Sequence, residues 1–389
     1  VSVGNVLEQQ AKLAKLQQQL SSGRRILTPA DDPAGAAQAL QFADKISSLE
    51  RLQQNANIAA NRLAQEDASL EQTSNLIRRV RELSLDANNG SKTAADRRLI
   101  AAELRERFNE LVQIGNGEDG NGEYLCAGTA RREPPFGAVS GREIEYRGDQ
   151  AERFGQVGPT RQLSVNHSGY DLFMRIPQGN GVFVTAANPG NTGSGVIDNG
   201  LVTDPSALTG HDYQVRFTTN AAGELAYLVE DVTDGAIVLP APPAVVPDDA
   251  PAYSSGEPIN VDGMSITISG TPEPGDEFSV LPATPQSLFA TLDQLISVLE
   301  DAEDTPANRA QIHSTIGGVL ANLDNASENI LRIRAEVGSR LHAIDAEVAG
   351  NEDSTLAFKT AMSQIADLDY ASAISEFQLQ LVGLQAAQQ

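Results

Sequence analysis

Paired carboxylates are the residues of this sequence whose type and spacing best suit acid–base chemistry. Asp31 and Asp32 are adjacent, and Asp367 and Asp369 are separated by one residue. Two carboxyl groups held close together can act as an acid and a base. Asp32 precedes a proline, however, which is the pattern of a helix start with a carboxylate cap. Helix capping and salt bridging between subunits therefore explain these aspartates better than catalysis does, since a pair of arginines lies just upstream.

Histidine and cysteine, which commonly bind transition metals, are few in this chain. The four histidines have no spacing that places two of them on one metal, and His-Glu-x-x-His is absent. The single cysteine, Cys126, has no sequence cue for a catalytic partner, so we expect a buried, inert thiol. The glycine-rich run 115–120 matches a dinucleotide-binding pattern but follows a helix and precedes a hairpin, which favours a turn. We therefore expect no catalytic site, no metal and no cofactor.

The element that organises the chain is a long helix predicted over residues 33–87. Apolar residues recur along it at intervals of seven: Phe42, Leu49, Ala56, Leu63, Leu70 and Ile77. A second series near the other end has the same spacing: Ile316, Leu323, Ile330, Val337 and Ile344. Because this repeat is typical of helices that pack along a partner, the two series predict a coiled-coil rod about 80 Å long. We expect Phe42, Leu49, Leu63, Ile330 and Ile344 to hold this rod together.

Shorter elements are predicted around the two long helices. A first amphipathic helix covers residues 5–20 and ends at Gly23, and a third helix covers 93–113. Strands are predicted at 143–146, 162–165, 182–185, 213–218, 225–230, 265–269 and 277–281. Helix is predicted to resume at residues 284–285, and the second long helix to begin at 305–306. We expect an interruption at 350–353 and a last amphipathic segment over 356–389.

The predicted fold class is α+β, a long terminal α-helical coiled-coil rod with β-hairpins and an inserted antiparallel β domain. The predicted boundaries are 1–178 for the N-terminal part of the rod, 179–283 for the insert and 284–389 for the C-terminal part. Residues 176–283 contain 12 of the 19 prolines, and 14 acidic residues against one base, Arg216. The middle of the chain is therefore a strongly acidic β domain.

The formal net charge of −24 argues against a general affinity for nucleic acid or anionic membranes. No apolar run reaches the roughly 20 residues of a membrane span, and the N-terminus lacks the features of a secretory signal. The chain begins without Met and stops in helix-like sequence. We therefore expect it to be trimmed at both ends.

Several runs of sequence resemble the flagellin family. Similarity to the terminal regions of flagellins lies at residues 15–26, 29–35, 80–84, 332–341 and 363–371. Other runs resemble the hook-filament junction branch of the family rather than filament flagellins: 146–149, 173–181, 270–278 and 367–375. One departure is Cys126, which stands where the family usually has an aromatic residue.

The resemblance implies a structural, exported protein of the bacterial flagellum that adapts the flexible hook to the stiff filament. Its implied partners are the first junction protein, flagellin, further copies of itself in a ring and a flagellar export chaperone, and its implied route is type III export. Assembly residues implied in this way are Arg24, Arg25, Asp31 and Asp32 as a connector, with Asp367, Asp369 and Tyr370. Arg79, Leu83 and Glu103 match a flagellin surface that an innate immune receptor binds.

Two alternatives remain open at this point. The first is filament flagellin itself, which shares the rod. The second is that the acidic segment 176–283 is a glycan- or host-binding module or a surface hydrolase. The absence of Trp and of any catalytic constellation argues against this second alternative.

Overall fold

The computed structural model describes residues 3–130 and 132–388. Its helices are α1 (Val3–Ser22), α2 (Pro33–Ala87), α3 (Ala94–Gly115), α4 (Leu288–Glu300), α5 (Pro306–Ala366) and α6 (Tyr370–Gln388). The strands up to residue 202 are β1 (Phe136–Ser140), β2 (Glu143–Tyr146), β3 (Phe154–Gln156), β4 (Gln162–Ser164), β5 (Phe183–Ala187), β6 (Val196–Ile197) and β7 (Leu201–Val202). The later strands are β8 (Tyr213–Thr219), β9 (Leu225–Asp231), β10 (Ala236–Leu239), β11 (Pro258–Val261), β12 (Met264–Ser269) and β13 (Glu277–Pro282). Long helices and antiparallel sheets together confirm the predicted α+β class.

The chain divides into two compact units. The first contains the residues up to Asn61, Phe154–Leu163 and the residues from Arg340 onward, and the second contains Arg62–Arg153 and Ser164–Ser339. The three-part division drawn from composition stays a prediction. None of the described helices is both long and apolar enough to cross a membrane.

Within the first unit, α1 packs beside α6, and α2 packs beside α5. The rings of Phe42 and Phe358 stack with centroids 5.8 Å apart, and Lys45 lies over the Phe358 ring. Farther along α2, Gln53 donates to Glu352 at 3.5 Å. Residue numbers therefore rise along α2 while they fall along α5, which makes the pair antiparallel. These contacts confirm, in this unit, the helix pairing predicted from the repeat of seven.

The second unit contains the other part of the same helix pair. Arg334 on α5 forms a bidentate ion pair with Asp67 on α2, with distances of 2.9 and 3.3 Å. Arg81 on α2 pairs with Asp324 on α5. The seam residues on both helices are almost completely buried: Leu63, Leu70, Ile77, Ile316, Leu323, Ile330 and Val337. Helices α3 and α4 pack against each other in this unit.

Asparagines on α5 of the second unit bind the chain that leads into the β strands. Asn322 accepts the backbone N–H of Gly179 at 2.8 Å. Asn325 donates to the carbonyl of Gly179 at 3.0 Å, and Asn329 donates to that of Asp171 at 2.9 Å. The three asparagines lie on one face of α5, since residues three and four apart share a helix face. Their side chains form hydrogen bonds with backbone groups of residues 171–179, which lie outside the strands.

The β strands between 183 and 282 form antiparallel sheets around one hydrophobic cluster. One sheet has the order β10-β9-β8-β13-β5, and the other has the order β11-β12-β6, with β7 also paired to β12. Alternate residues of β8, namely Tyr213, Val215 and Phe217, point into the cluster, as expected for a strand with one covered face. Phe278 on β13 and Ile266 on β12 join them there. The strands predicted in this segment are therefore confirmed to within two residues at their ends.

A hairpin made by β1 and β2 packs against α4. Phe136 contacts the rings of Tyr146, Phe173 and Phe289, with centroids 5.1 to 5.5 Å apart. The Tyr146 hydroxyl donates to the carbonyl of Cys126 at 2.9 Å, so the hairpin also holds the loop that follows α3. The run 146–149, identified above by resemblance, thus has a structural role in this unit.

Two predicted helix boundaries are wrong. Helix does not resume at residues 284–285, because Gln286 is paired through its backbone with Ile176, and α4 starts at Leu288 with Ser287 as its cap. The predicted interruption at 350–353 is absent, since α5 is continuous from Pro306 to Ala366. Asn351 is buried there and donates to the carbonyl of Val157 at 3.1 Å, so tertiary contact stabilises helix where the local sequence favours a break. The break lies instead at 367–369, between α5 and α6.

Candidate assembly joint

The residues singled out near the two ends of the chain meet in the first unit. We call residues 23–32 and 365–370 the joint, since they connect α1 to α2 and α5 to α6. Gly23 ends α1 with a φ of +71°, a conformation that favours glycine. A Cβ atom at this position would lie 2.9 Å from the hydroxyl of Tyr370. The backbone conformation thus favours glycine, and a larger residue would also require the Tyr370 side chain to move.

The aspartates before α2 bind backbone N–H groups. Oδ1 of Asp32 accepts the N–H of Gly35 at 2.9 Å, which is the predicted helix cap. Oδ2 of Asp31 accepts the N–H groups of Leu27 and Thr28 at 3.1 and 2.9 Å. Lys15 on α1 lies 2.6 Å from Oδ1 of Asp31, and this contact together with the backbone donors lowers the pKa of the Asp31 carboxyl to about 2. The pKa of Asp32 is also lowered, mainly by the Gly35 N–H and next by a hydrogen bond from Arg25.

Arg25 connects the two halves of the joint. Its guanidinium lies 3.1 Å from Oδ2 of Asp32 and donates to the carbonyl of Ile365 at 2.7 Å. Its backbone N–H donates to the carbonyl of Ala366 at 2.8 Å. The last carbonyls of a helix have no partner within the helix and carry partial negative charge. Arg25 satisfies two of them at the end of α5 and ties them to the start of α2.

Backbone pairing completes the joint. Arg24 forms an isolated antiparallel bridge with Asp367, and the N–H of Leu368 donates to the carbonyl of Gly23 at 3.0 Å. Oδ1 of Asp369 then accepts the N–H of Ala371 at 3.0 Å and caps α6. The ion pairs at this site are exposed to solvent and contribute little, so the backbone bonds supply most of its definition.

The joint brings together Arg24, Arg25, Asp31, Asp32, Asp367, Asp369 and Tyr370. Their carboxylates cap helices and pair with bases, so the arrangement is suited to positioning helices and not to moving protons. That these residues also contact other subunits stays a prediction. The same holds for the role proposed for Phe42, Leu49, Leu63, Ile330 and Ile344 in stability. All of these are buried except Phe42, which is half-buried.

The positions matched to a receptor surface lie in the second unit. Nε of Arg79 donates to Glu103 at 2.8 Å, and its guanidinium also pairs with Glu82. The hydrogen bonds that Arg79 donates to Glu103 and Glu82 raise the pKa of Arg79. Arg79 and Glu103 are accessible to solvent, whereas Leu83 is buried. Receptor binding stays a prediction.

Cys126 is buried, as expected from the sequence. Burial raises the pKa of its thiol to about 12, so the thiol is protonated at neutral pH. The nucleophile in cysteine chemistry is the thiolate, so this side chain is inert.

Sequence reasoning missed two histidine contacts. His167 lies between Glu66, at 2.8 Å, and Glu336, at 3.3 Å. His211 lies 2.7 Å from Asp231. The partners are 20 to 169 residues away along the chain, so no local spacing signals these contacts.

Comparison with known proteins agrees with this architecture. Residues 3–131 match the model of the bacterial flagellin N-terminal helical region. The crystal structure of flagellar hook-associated protein-3 from Legionella pneumophila superposes with a TM-score of 0.78 and 30% sequence identity, over 84% of this chain and 98% of that chain. The chain belongs to the flagellar hook-associated protein 3 family.

Curated relatives support the same family. Flagellar hook-associated protein 3 of Salmonella typhimurium is 22% identical over 387 residues, which is 99% of this chain and 91% of that protein. A flagellin of Salmonella budapest is 28% identical over 222 residues, only 51% of this chain and 44% of that protein. The alignment with hook-associated protein 3 therefore covers almost the whole chain, whereas the alignment with filament flagellin covers about half of it. The structural, flagellar class expected from the resemblance is confirmed.

Proposed function

We propose that the chain is a subunit of the hook-filament junction that joins the first junction protein, on the hook side, to the flagellin filament. In this proposal, copies of the chain form a ring that connects the flexible hook to the stiff filament. The chain reaches this place through the flagellar type III route with the help of an export chaperone. Its single cysteine permits no disulfide within the sequence, which suits passage of an unfolded chain.

The observation that carries the proposal is the pairing of α1 with α6 at the joint. Gly23 and Arg25, which follow α1, form hydrogen bonds with Leu368, which precedes α6, and with Ile365, which lies at the end of α5. These bonds connect the α1–α6 pair to the α2–α5 pair. Helices α1 and α6 therefore lie side by side. Both helices carry exposed apolar side chains: Leu7, Ile374, Leu379 and Val382. In this proposal, neighbouring subunits cover these side chains in the assembled ring.

Deletion and complementation test the place of this protein in the flagellum. A strain that lacks the gene should secrete flagellin monomers but carry no filaments, and the full-length gene should restore filaments and swimming. Filaments on the deletion strain, or failure of the wild-type gene to restore them, would overturn the proposal. Restoration of filaments by overexpressed protein in a flagellin-null strain would favour filament flagellin.

A matched pair of glycine substitutions tests the joint. Gly23→Ala places a Cβ in a left-handed backbone conformation and against Tyr370, so filament assembly should fall severalfold. Gly338→Ala is the control, because Gly338 lies in α5 with open space around its Cβ position. Secreted amounts of each variant, measured by immunoblot, separate loss of assembly from loss of the protein. Equal swimming by the two variants would argue against a role for the joint.

A further inference from the structure

Three side chains at one end of the sheet that contains β8, β9 and β10 bring a ring nitrogen and two carboxylates together. His211 precedes β8, Asp231 ends β9, and Asp234 lies in the turn before β10. Nδ1 of His211 is 2.7 Å from Oδ2 of Asp231 and 3.7 Å from Oδ2 of Asp234. One donor atom from each residue lies within 4.8 Å of the other two. We propose that His211, Asp231 and Asp234 form a binding site for one divalent transition-metal ion of the Zn²⁺ type.

The separations suit such an ion. Zn²⁺ binds imidazole nitrogen and carboxylate oxygen at about 2.0 to 2.2 Å, which places neighbouring donors of a tetrahedral site roughly 3.3 to 3.5 Å apart. The distances from His211 to the two aspartates, 2.7 and 3.7 Å, lie on either side of this range. The histidine nitrogen is therefore within less than 1 Å of a metal-site separation from each carboxylate oxygen. One nitrogen and two carboxylate ligands also match the preference of borderline divalent metals.

The surrounding backbone already orients these ligands. Oδ1 of Asp231 accepts the N–H groups of Thr233 and Asp234 at 3.0 and 3.1 Å, which leaves its Oδ2 directed toward His211. The N–H of Val232 donates to the carbonyl of Asp212 at 2.8 Å, so the turn is bonded to the residue after the histidine. Bonds of this kind orient metal ligands before an ion arrives.

Charge also favours a cation at this position. Asp262 adds a third carboxylate near His211, and its Oδ2 accepts the Tyr213 hydroxyl at 2.6 Å. The one base among residues 176–283, Arg216, pairs with Glu277 and Glu230. A protonated His211 alone thus leaves net negative charge, which a divalent ion would neutralise. The side chain of Asp234 is 65% exposed, so an ion and its waters have access from solvent.

A proton and a metal ion compete for Nδ1 of His211. The hydrogen bond to Asp231 raises the pKa of His211, so the proton is held more tightly than by a free imidazole. Metal binding must release this proton.

Calorimetric titration of the purified chain with ZnCl₂ at pH 7.5 tests the site. We expect one ion per chain, bound with a Kd of about 10 μM or lower, and at least tenfold weaker binding in His211→Gln and in Asp234→Asn. Asp234→Asn keeps the backbone N–H that binds Asp231, so the turn should be retained. His342→Gln is the control, because His342 is an exposed histidine on α5 and should leave binding unchanged. Circular dichroism checks the fold of each variant.

The proposal is overturned by absence of one-to-one binding, by unchanged binding in His211→Gln, or by loss of binding in His342→Gln. A second measurement needs no variant. Paramagnetic Co²⁺ added to the isotope-labelled wild-type chain should broaden the NMR signals of residues 209–213 and 231–235 first. Broadening centred on any other part of the chain would equally overturn the site.

Discussion

The α2–α5 pair has the same repeat of seven in both units, but its burial is less uniform in the first unit. In the second unit, Leu63 and Ile330 are fully buried, and so are the other seam residues between them and Ile316 on α5. In the first unit, Ala56 and Ile344 are buried as well, but Phe42, nearer the start of α2, is half-buried. A repeat of seven therefore identifies the face that meets the partner helix, while the depth of burial depends on what else covers the pair.

The covering layers differ between the two units. The second unit adds α3, α4, the β1–β2 hairpin and the segment held by the asparagines of α5. The first unit adds the β3–β4 hairpin, whose contacts to the helix pair include hydrogen bonds from Asn55 to Gln156 and from Asn351 to Val157. We therefore expect more apolar area to be removed from water per residue in the second unit. We expect the seam to contribute more to stability there.

The largest effect is expected for a charge in the deeply buried part of the seam. Leu63→Asp places an unpaired carboxylate where the wild-type side chain is fully buried, and should lower the free energy of unfolding by about 4 kcal/mol or more. Ile58→Asp is the control, since Ile58 is on the same helix and 68% exposed. Chemical unfolding followed by circular dichroism measures both. An unchanged midpoint for Leu63→Asp would contradict the helix pairing.

Two leucines of α5 compare the units directly. Leu323→Ala leaves a cavity in the second unit and should cost about 3 kcal/mol. Leu356→Ala, at an exposed position of the first unit, should change stability by less than about 0.5 kcal/mol. The same unfolding measurement applies to both variants. Similar costs for the two would show that the burial of Leu323 does not determine its contribution to stability.

A smaller effect is expected from the asparagines that cover the helix pair in the second unit. Asn322→Ala leaves the buried N–H of Gly179 without its acceptor and should cost about 1 to 3 kcal/mol. Hydrogen exchange of the Gly179 amide should accelerate in the variant. Glu328→Ala, at an exposed position of the same helix, is the control. Unchanged exchange in Asn322→Ala would show that this side chain does not protect the segment.

The smallest effect concerns the joint of the first unit and its dependence on pH. The pKa of Asp31 is lowered from 3.8 to about 2, first by Lys15 and then by the Thr28 N–H. Because the folded-state pKa lies below the unfolded one, this carboxylate stabilises the fold above about pH 4, and the stabilisation is lost as the pH falls toward 2. An NMR titration of the side-chain carboxyl carbon should show a midpoint near 2 in the wild type and a higher one in Lys15→Gln. A wild-type midpoint at 3.8 would mean that the Lys15 contact is not maintained in solution.

Much of the architecture follows from local signals in the sequence. Asp32 and Pro33 start α2, which has the predicted bounds Pro33–Ala87, because a capping carboxylate and a proline act on the adjacent backbone. The alternating strands of the acidic segment were predicted for the same reason, since neighbouring residues determine which face of a strand is apolar. The capping role of Asp32 in the joint could be read in this way as well.

Tertiary structure alone decided the features that depend on distant partners. The sequence around Asn351 suggests a break, but a hydrogen bond to Val157, 194 residues away, accompanies a continuous helix. The contacts of Arg25 with Ile365, and of His211 with Asp231, likewise depend on how the chain folds back on itself. The sequence by itself determined which faces are apolar and where the helices cap, since those are short-range properties of the chain. Only the folded structure decided how deeply each face is buried and which polar groups meet, because those depend on residues far apart in sequence.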